Sequence, residues 1–310
     1  MTKSAILITG ASGQLGWRLC RFFCEAGYAV HGVFHTRRPP LPGVRLIQCD
    51  LADQSRRDAL DLHGYRAVIH AAAIGHPDIC EKAPDLARRT NVEATAFLAE
   101  RLPVDCRLIF ISTDLVFDGL KGCYIESDPP AAINKYAATK IEAEEAVKTR
   151  AGSVIVRMAL LYGPPAAFPG GFTAWMRGRL EAGQEVPLYT DQFRTPVYAG
   201  DVAQALRLLI EKEPRSSVYH VGGAERVSRW EFGQKYVQVF GYDPRLLRPT
   251  KSQTAGEPDA GKPGPGEPVA GKPVARGQDC SLDSGRFARE FGFRPGSVLD
   301  GLQRMKESVY

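Results

Sequence analysis

A tyrosine and a lysine four residues apart, Tyr136 and Lys140, have the side-chain types and the spacing for proton transfer. On a helix, both side chains would lie on one face, one above the other. A phenol beside an ammonium gives up its proton more readily, because the positive charge favours the phenolate. The pair therefore predicts an acid that can protonate a bound molecule. A surface helix pair without a chemical role is the alternative that the spacing alone leaves open.

A hydroxyl is available upstream to act together with the tyrosine. Thr113 lies at the carboxyl end of a predicted strand, where it could hydrogen-bond a substrate carbonyl next to Tyr136, and Ser112 is the alternative. Asp114 follows and could bind substrate or cap a turn. We therefore predict that Thr113, Tyr136 and Lys140 are the catalytic residues, with the lysine lowering the pKa of the phenol.

The stretch TGASGQLG (9–16) places three glycines between a predicted strand and a predicted helix. Gly10 lets the chain bend, Gly13 lets the backbone approach phosphates, and Gly16 allows close helix–strand packing. The helix N-terminus would face the anion. Tight turns also use glycine for positive φ, but the strand and helix on either side favour a pyrophosphate site. The predicted contacts in this turn are Gly10, Ser12, Gly13, Gln14, Leu15 and Gly16.

The residues after the second predicted strand indicate which dinucleotide would bind. An NAD site usually has an acidic residue there, whereas this chain has Arg37 and Arg38. Two arginines could bind a 2′-phosphate, so the sequence favours NADP(H), and NAD(H) stays open. Two ordinary surface arginines are the alternative interpretation.

Two further stretches are predicted to line the cofactor. Asp50 and Leu51 follow the third predicted strand and could close an adenine pocket, although Asp50 could equally cap a helix. The alanines after His70 would allow a cofactor to approach closely, and tight packing would explain them nearly as well. The remaining predicted cofactor contacts are Ala71, Ala72, Ala73, Tyr136 and Lys140.

Strands and helices alternate through the first 158 residues. The predicted strands cover residues 5–9, 29–34, 44–48, 67–70, 107–112 and 153–157, and the predicted helices cover 14–27, 53–60, 84–101 and 135–149. Nearly uninterrupted apolar strands indicate a parallel sheet that is covered on both faces. The predicted fold class is therefore α/β, a Rossmann-like doubly wound parallel sheet with a smaller C-terminal substrate-binding lobe.

The alternation loosens after residue 158, and helices are predicted at 172–182, 201–211, 229–240, 283–291 and 298–307. We expect a cofactor domain over residues 1–160, to which residues 196–222 return. Residues 161–195 and 223–310 would form the lobe over the carboxyl edge of the sheet, where ligands bind in such folds. Residues 251–278 contain near-repeats such as AGEP and AGKP with few apolar side chains, which predicts a flexible Pro/Gly-rich insertion.

The composition narrows the class of protein further. A formal net charge of +5 comes from scattered basic residues rather than a long run, which argues against a nucleic-acid partner. No stretch resembles a signal peptide or reaches membrane-spanning length. The seven cysteines form no CxxC pair and indicate reduced thiols in the cytoplasm. Cys20 and Cys24 share a helix face, but core packing is a stronger explanation than a metal, and no metal site is predicted.

Taken in order, these motifs resemble the extended short-chain dehydrogenase/reductase superfamily, and within it the dTDP-4-dehydrorhamnose reductases. The stretches that carry the resemblance are TGASGQLG (9–16), HAAA (70–73), STDLVFDG (112–119), NKYAATKIEAE (134–144), VRMALLYG (156–163), DQFRTPVYAGDVA (191–203) and DCSLDSGRFAREFGFRP (279–295). The resemblance implies a Rossmann cofactor domain, NADPH or NADH, a nucleotide-linked keto-sugar substrate, and catalysis by Thr113, Tyr136 and Lys140. The predicted substrate contacts are Asp114, Phe117, Asp191 and Arg194, and a homodimer is one assembly that the sequence permits.

Departures from the family pattern leave other functions open. Ala137 and Ala143 stand where glycine is common, and Arg194 replaces a usually small residue. The regulatory β subunit of methionine adenosyltransferase shares the cofactor fold and similar motifs, so a non-catalytic NADP-binding subunit is one alternative. A sugar-nucleotide epimerase is another. Dehydration is disfavoured, because Leu115 stands where dehydratases of this superfamily typically have a glutamate.

Overall fold

The computed structural model describes residues 3–168, 170–252 and 274–308. Its strands are β1 (Lys3–Thr9), β2 (Tyr28–Phe34), β3 (Arg45–Gln48), β4 (Tyr65–His70), β5 (Arg107–Thr113), β6 (Val154–Met158), β7 (Leu161–Tyr162), β8 (Val186–Tyr189), β9 (Phe193–Arg194), β10 (Val197–Tyr198), β11 (Val218–Val221), β12 (Val227–Ser228) and β13 (Leu247–Thr250). Its α-helices are α1 (Gln14–Glu25), α2 (Gln54–Asp58), α3 (Pro77–Lys82), α4 (Pro84–Arg88), α5 (Ala94–Arg101), α6 (Lys135–Lys148), α7 (Gly171–Glu181), α8 (Ala199–Glu211), α9 (Arg229–Phe240), α10 (Gly285–Phe291) and α11 (Val298–Glu307).

Seven parallel strands form the central sheet in the order β11-β6-β5-β4-β1-β2-β3. Successive apolar residues of one strand point to opposite faces, so Ile6 and Ile8 face one layer of helices and Leu7 faces the other. The first layer contains α1, α8 and α10, and the second contains α5 and α6. Because both faces are covered, the strands need no polar side. This confirms the α/β, Rossmann-like sheet predicted from the sequence.

Strand β11 reaches the sheet late in the chain. It pairs with β6, with Val218 opposite Ile155 and Val221 opposite Met158. The preceding helix α8 packs against α1 through buried residues such as Leu206. Residues 199–221 therefore contribute a helix and a strand to the large sheet layer, within the segment 196–222 that was expected to return there.

The smaller lobe has its own apolar core. Met176 of α7, Phe232 and Tyr236 of α9, and Leu302 of α11 are all buried in it. Two short strand pairs, β8 with β13 and β9 with β12, lie alongside these helices. Serine caps fix where two of the helices begin. Ser228 and Glu231 form a capping box at α9, and Ser297 and Asp300 form one at α11.

Some elements differ from the sequence predictions. The helix expected over residues 84–101 consists of α4, a π-helical turn over Arg89–Glu93, and α5. The short helix α3 was not predicted. Most of the segment 251–278 lies outside the described residues, so its expected flexibility stays a prediction. Within the described residues, no helix is both long and apolar enough to cross a membrane.

Candidate active site

The glycine turn between β1 and α1 has a geometry that only glycine satisfies at two positions. Gly10 has φ +74°, and a Cβ built there would lie 2.9 Å from the Cα of Ala72. A Cβ on Gly16 would overlap the carbonyl oxygen of Gly10. Gly13 is the N-cap of α1, and no described side chain caps that helix end. The turn therefore offers close backbone approach and open N–H groups, which fit the pyrophosphate of a dinucleotide.

The end of β4 lies directly beside this turn. The backbone N–H of Ala72 donates to the Thr9 hydroxyl at 3.1 Å, and that hydroxyl also contacts His70 Nδ1 at 2.7 Å. Ala71 and Ala72 are half-buried, and Ala73 is exposed. Ala71 and Ala72 therefore border the turn, and the contact of the three alanines with a cofactor stays a prediction. Of the other turn residues, Ser12 and Gln14 are half-buried, while Leu15 is buried in the core against the sheet.

Arg37 and Arg38 are both exposed, just beyond the end of β2. Asp50 accepts a hydrogen bond from the N–H of Ala52 at 2.9 Å, and its other carboxylate oxygen lies 3.4 Å from His35 Nε2. The N-cap of α2 is Asp53, so the alternative role of Asp50 as a helix cap is wrong. Its place within the loop after β3 leaves a role at the cofactor open.

Leu51 lies on the inner side of the same loop. Its side chain is buried and packs in the core cluster together with Val33 and Cys49. A side chain in that position supports the loop from within. Its direct contact with an adenine therefore has no support from the structure.

The three predicted catalytic residues meet at the carboxyl edge of the sheet. Thr113 is the last residue of β5, and Tyr136 and Lys140 lie on α6, whose N-cap Asn134 accepts from the N–H of Ala137 at 2.8 Å. The Thr113 hydroxyl lies close enough to the Tyr136 phenol to lower its pKa. Two hydroxyls at this edge can hold one carbonyl oxygen between them.

The electrostatics of this group differ from the prediction in one respect. Burial raises the pKa of Tyr136, and the neighbouring Thr113 hydroxyl opposes that shift only in part. The Nζ of Lys140 donates to the carbonyl of Ile111 at 2.7 Å and lies 3.9 Å from the ring centroid of Phe110. Burial also lowers the pKa of Lys140 to about 7, with Glu144 acting in the opposite direction. Lys140 is not among the groups that shift the Tyr136 pKa here, so its expected effect on the phenol stays a prediction, and burial is the largest influence.

Asp114 and Arg194, both predicted substrate contacts, face each other. Arg194 Nε lies 3.5 Å from an oxygen of Asp114, and both side chains are buried. The Thr113 hydroxyl donates to the other oxygen of Asp114 at 3.1 Å. Arg194 also donates to the carbonyls of Phe193, Gly277 and Gln278. Its donors are thus committed to the protein, and it holds the chain after the Pro/Gly-rich segment against Asp114.

Two further predicted substrate residues are placed differently. Phe117 is 1% exposed and stacks on Tyr124, with ring centroids 4.1 Å apart, so its ring belongs to a core cluster and cannot line a cleft. Its predicted contact with substrate is therefore not supported. Asp191 is half-buried and accepts from the N–H of Ser252 at 2.7 Å, which leaves its second oxygen for another partner.

Sequence reasoning missed a buried ion pair under the catalytic group. Glu144 is fully buried, accepts from the Ser112 hydroxyl at 2.6 Å and pairs with Arg157 at 2.7 Å. The signals were present in the sequence. Glu144 lies four residues after Lys140 on the same helix face, and Arg157 interrupts the apolar strand β6. The Ser112 hydroxyl thus bonds Glu144, whereas the Thr113 hydroxyl lies near the phenol of Tyr136.

The described cysteine, histidine and acidic side chains were the candidates for a metal site. Cys20 is buried in the sheet–helix core, and burial raises its thiol pKa to about 12. Across the described ranges, no group of three or more histidine, cysteine, aspartate or glutamate side chains could hold an ion. Core packing, the favoured interpretation for Cys20, agrees with where that residue lies.

A parallel sheet with a glycine turn after its first strand, and a Tyr–Lys pair on the helix that follows its fifth, define the extended short-chain dehydrogenase/reductase class. Comparison with known families narrows this class. The family model of the RmlD substrate binding domain matches residues 4–266, and the chain belongs to that family.

Two kinds of relative share much of the sequence. The chain is 36% identical over 247 residues to the probable low-salt glycan biosynthesis reductase Agl14 of Haloferax volcanii, a match that covers 77% of this chain and 81% of that protein. It is 30% identical over 254 residues to the methionine adenosyltransferase 2 subunit beta of Pongo abelii, covering 79% of this chain and 74% of the subunit.

Solved structures share the whole fold. The dTDP-4-dehydrorhamnose reductase of Bacillus anthracis, determined in complex with NADP, superposes with a TM-score of 0.82 at 25% identity and covers 99% of this chain and 100% of that chain. A hypothetical dTDP-4-dehydrorhamnose reductase of Sulfolobus tokodaii superposes with a TM-score of 0.80 at 29% identity, covering 96% and 98%. The fold and the family predicted from the sequence are thereby confirmed.

Proposed function

We propose that this protein is an NADPH-dependent reductase of a nucleotide-linked 4-keto sugar, similar to dTDP-4-dehydrorhamnose. The observation that carries the proposal is the placement of Thr113, the last residue of β5, beside Tyr136 of α6, at the sheet edge that also bears the glycine turn. Family membership and the NADP-bound relative from Bacillus anthracis support the same class of reaction.

Each catalytic residue has one part in this proposal. A bound NADPH would supply the hydride. Tyr136 donates a proton to the oxygen of the ketone, and its raised pKa keeps the phenol protonated at neutral pH, which is the form that can donate. Thr113 holds the carbonyl oxygen next to the phenol. Lys140, with a pKa of about 7, can take up or release a proton near neutral pH and so restore the acid after turnover.

The binding residues follow from the same placement. The turn from Gly10 to Gly16 would hold the pyrophosphate on the N-terminus of α1. Arg37 and Arg38 would bind the 2′-phosphate, because both guanidinium groups are exposed at the end of β2. NADP(H) is thus favoured, and NAD(H) is the alternative cofactor. On the substrate side, Asp191 has a carboxylate oxygen available for a sugar hydroxyl. Asp114, which is paired with Arg194, accepts a hydrogen bond from Thr113 and so positions that side chain.

The test is the Tyr136→Phe variant, assayed for NADPH oxidation with keto-sugar nucleotides. Loss of a general acid should lower turnover by about 10²–10⁴-fold while NADPH still binds. Tyr28→Phe is the matched control, because its hydroxyl bonds Glu211 at the opposite, amino-terminal end of β2. Turnover by Tyr136→Phe equal to that of the wild type would exclude the proposed mechanism.

A second function is favoured by one specific observation. The 30% identity to methionine adenosyltransferase 2 subunit beta spans most of both chains, so a regulatory subunit that binds NADP without reducing a sugar is the other candidate. If this chain is such a subunit, it should bind the dinucleotide but consume no NADPH with any keto-sugar nucleotide. An epimerase would convert the sugar without net oxidation of the cofactor, so measuring product and NADPH together separates all three.

A further inference from the structure

The loop between β7 and α7 reaches across to the dinucleotide turn. The carbonyl of Phe168 accepts a hydrogen bond from Gln14 Nε2 at 3.1 Å, and a Cβ built on Gly170 would lie 3.7 Å from the same nitrogen. Gln14 is the first residue of α1, directly after the N-cap Gly13. The loop therefore contacts the helix end where the pyrophosphate is expected.

The side chain of Gln14 is itself held by Arg18 of the same helix. Arg18, one turn further along α1, donates to the carbonyl of Gln14 at 2.6 Å and to its Oε1 at 3.0 Å. Because Oε1 is occupied, the amide nitrogen of Gln14 is turned towards the loop. A cavity of about 190 Å³, lined by residues that include Arg18, Gly163 and Phe172, lies beside this contact. The hydrogen bond between Gln14 and Phe168 thus ties the loop to the start of α1.

Phe168 also contacts Arg37, one of the two arginines expected to bind the 2′-phosphate. The guanidinium carbon of Arg37 lies 5.5 Å from the ring centroid of Phe168. Within the part of the chain that the structure describes, this guanidinium has no hydrogen bond or ion pair, whereas its backbone is fixed at the end of β2. The ring of Phe168 therefore limits where an otherwise mobile arginine can point. A guanidinium over an aromatic ring keeps the N–H donors that point away from the ring available to a phosphate.

We propose that Phe168 is a cofactor-selectivity residue, whose ring orients Arg37 towards the 2′-phosphate that distinguishes NADPH from NADH. This inference rests on the cofactor assignment of the proposed function. Gln14 and Arg18 are positioning residues in this arrangement, since they hold the loop that carries the ring. Among the described residues, Arg38 has no aromatic ring over its guanidinium, so it serves as the internal reference.

The experiment is a double-mutant cycle, with dissociation constants for NADPH and NADH measured by titration calorimetry. Phe168→Leu keeps apolar volume and the backbone carbonyl that Gln14 binds, but removes the aromatic face. It should weaken NADPH binding about two- to fivefold, the range for a cation–π contact at an exposed site, and leave NADH binding unchanged. In an Arg37→Ala background the same change should have no effect, whereas in an Arg38→Ala background its effect should persist.

The outcomes separate this inference from the cofactor assignment. Equal weakening of both dinucleotides, or a loss that persists in the Arg37→Ala background, would show that Phe168 acts only as a wall of the cleft and would overturn the inference. A wild-type protein that binds NADPH more tightly than NADH would keep the cofactor assignment in either case. Tighter binding of NADH, or no binding of either dinucleotide, would overturn both.

Discussion

Replacing Lys140 by methionine should stabilise the fold while it removes activity. The lysine is 2% exposed, and its ammonium has one strong hydrogen bond, to the Ile111 carbonyl. Burial lowers its pKa from 10.5 to about 7, which means that the folded protein holds the charged form at a cost. Methionine has nearly the same length and carries no charge. The variant therefore removes the cost together with the group that restores the proton.

The size and sign of this effect follow from proton linkage. Below pH 7 the lysine is charged in both the folded and the unfolded chain, and the drop from 10.5 to about 7 costs about 4–5 kcal/mol of stability there. Between pH 7 and 10.5 the unfolded chain binds more protons, so the cost falls as the pH rises. Loss of the charged hydrogen bond, about 1.5–3 kcal/mol, offsets part of the gain. We expect a net gain of about 2–3 kcal/mol at pH 6, most of which is lost by pH 9.

Urea unfolding of the wild type and of Lys140→Met at pH 6 and pH 9 measures this directly. The quantity of interest is the difference between the two proteins, because other titrating groups contribute equally to both. Lys135→Met is the control, since Lys135 is exposed near the start of the same helix and should give the same difference at both pH values. A stability difference for Lys140→Met that does not change with pH would refute a buried lysine charge.

Two other substitutions test the turn and the ion pair. Gly16→Ala should weaken dinucleotide binding and lower the melting temperature, because the added Cβ overlaps the Gly10 carbonyl. Gly178→Ala is the control in calorimetry and thermal melts, because a Cβ at that position of α7 would meet open space. Equal behaviour of the two variants would contradict the packing argument. Glu144→Gln should cost about 3–5 kcal/mol in urea unfolding, because it leaves the charge of Arg157 buried without its partner, whereas Glu145→Gln on the exposed side of the same helix should be nearly neutral. A Glu144→Gln protein as stable as the wild type would show that the pair contributes little.

The fold was predictable because its strands are apolar on both faces and its helices carry clear start signals. The bounds of α9 and α11 agree with the sequence because a serine cap and an acidic partner three residues later mark where each begins. The short helix α3 has only six residues and no apolar period to find. The π-helical turn at Arg89–Glu93 leaves no pattern that distinguishes it from a continuous helix.

The sequence indicated which candidate residues would lie at the carboxyl edge of the sheet, but it did not indicate their surroundings. Spacing placed Tyr136 and Lys140 on one helix face, but the pKa of each depends on burial, which arises from contacts that are distant in sequence. From the sequence, Phe117 resembles an exposed loop aromatic, but in the structure its ring stacks on Tyr124. Arg194 looks like a ligand until Gly277 and Gln278, more than eighty residues later, take up its donors. The burial and the hydrogen bonds of these side chains depend on contacts between distant segments, which a local sequence pattern does not reveal.

The late arrival of β11 has a consequence for how the chain folds. The edge of β6 stays open until residues 218–221 have been synthesised, and by then the chain has already passed through β8 and β9 of the smaller lobe. Such long loops between paired strands slow the search for the native topology. A fragment that ends at residue 160 would leave the apolar face of α1 without α8 and a strand edge without a neighbour, so we expect it to aggregate rather than fold alone.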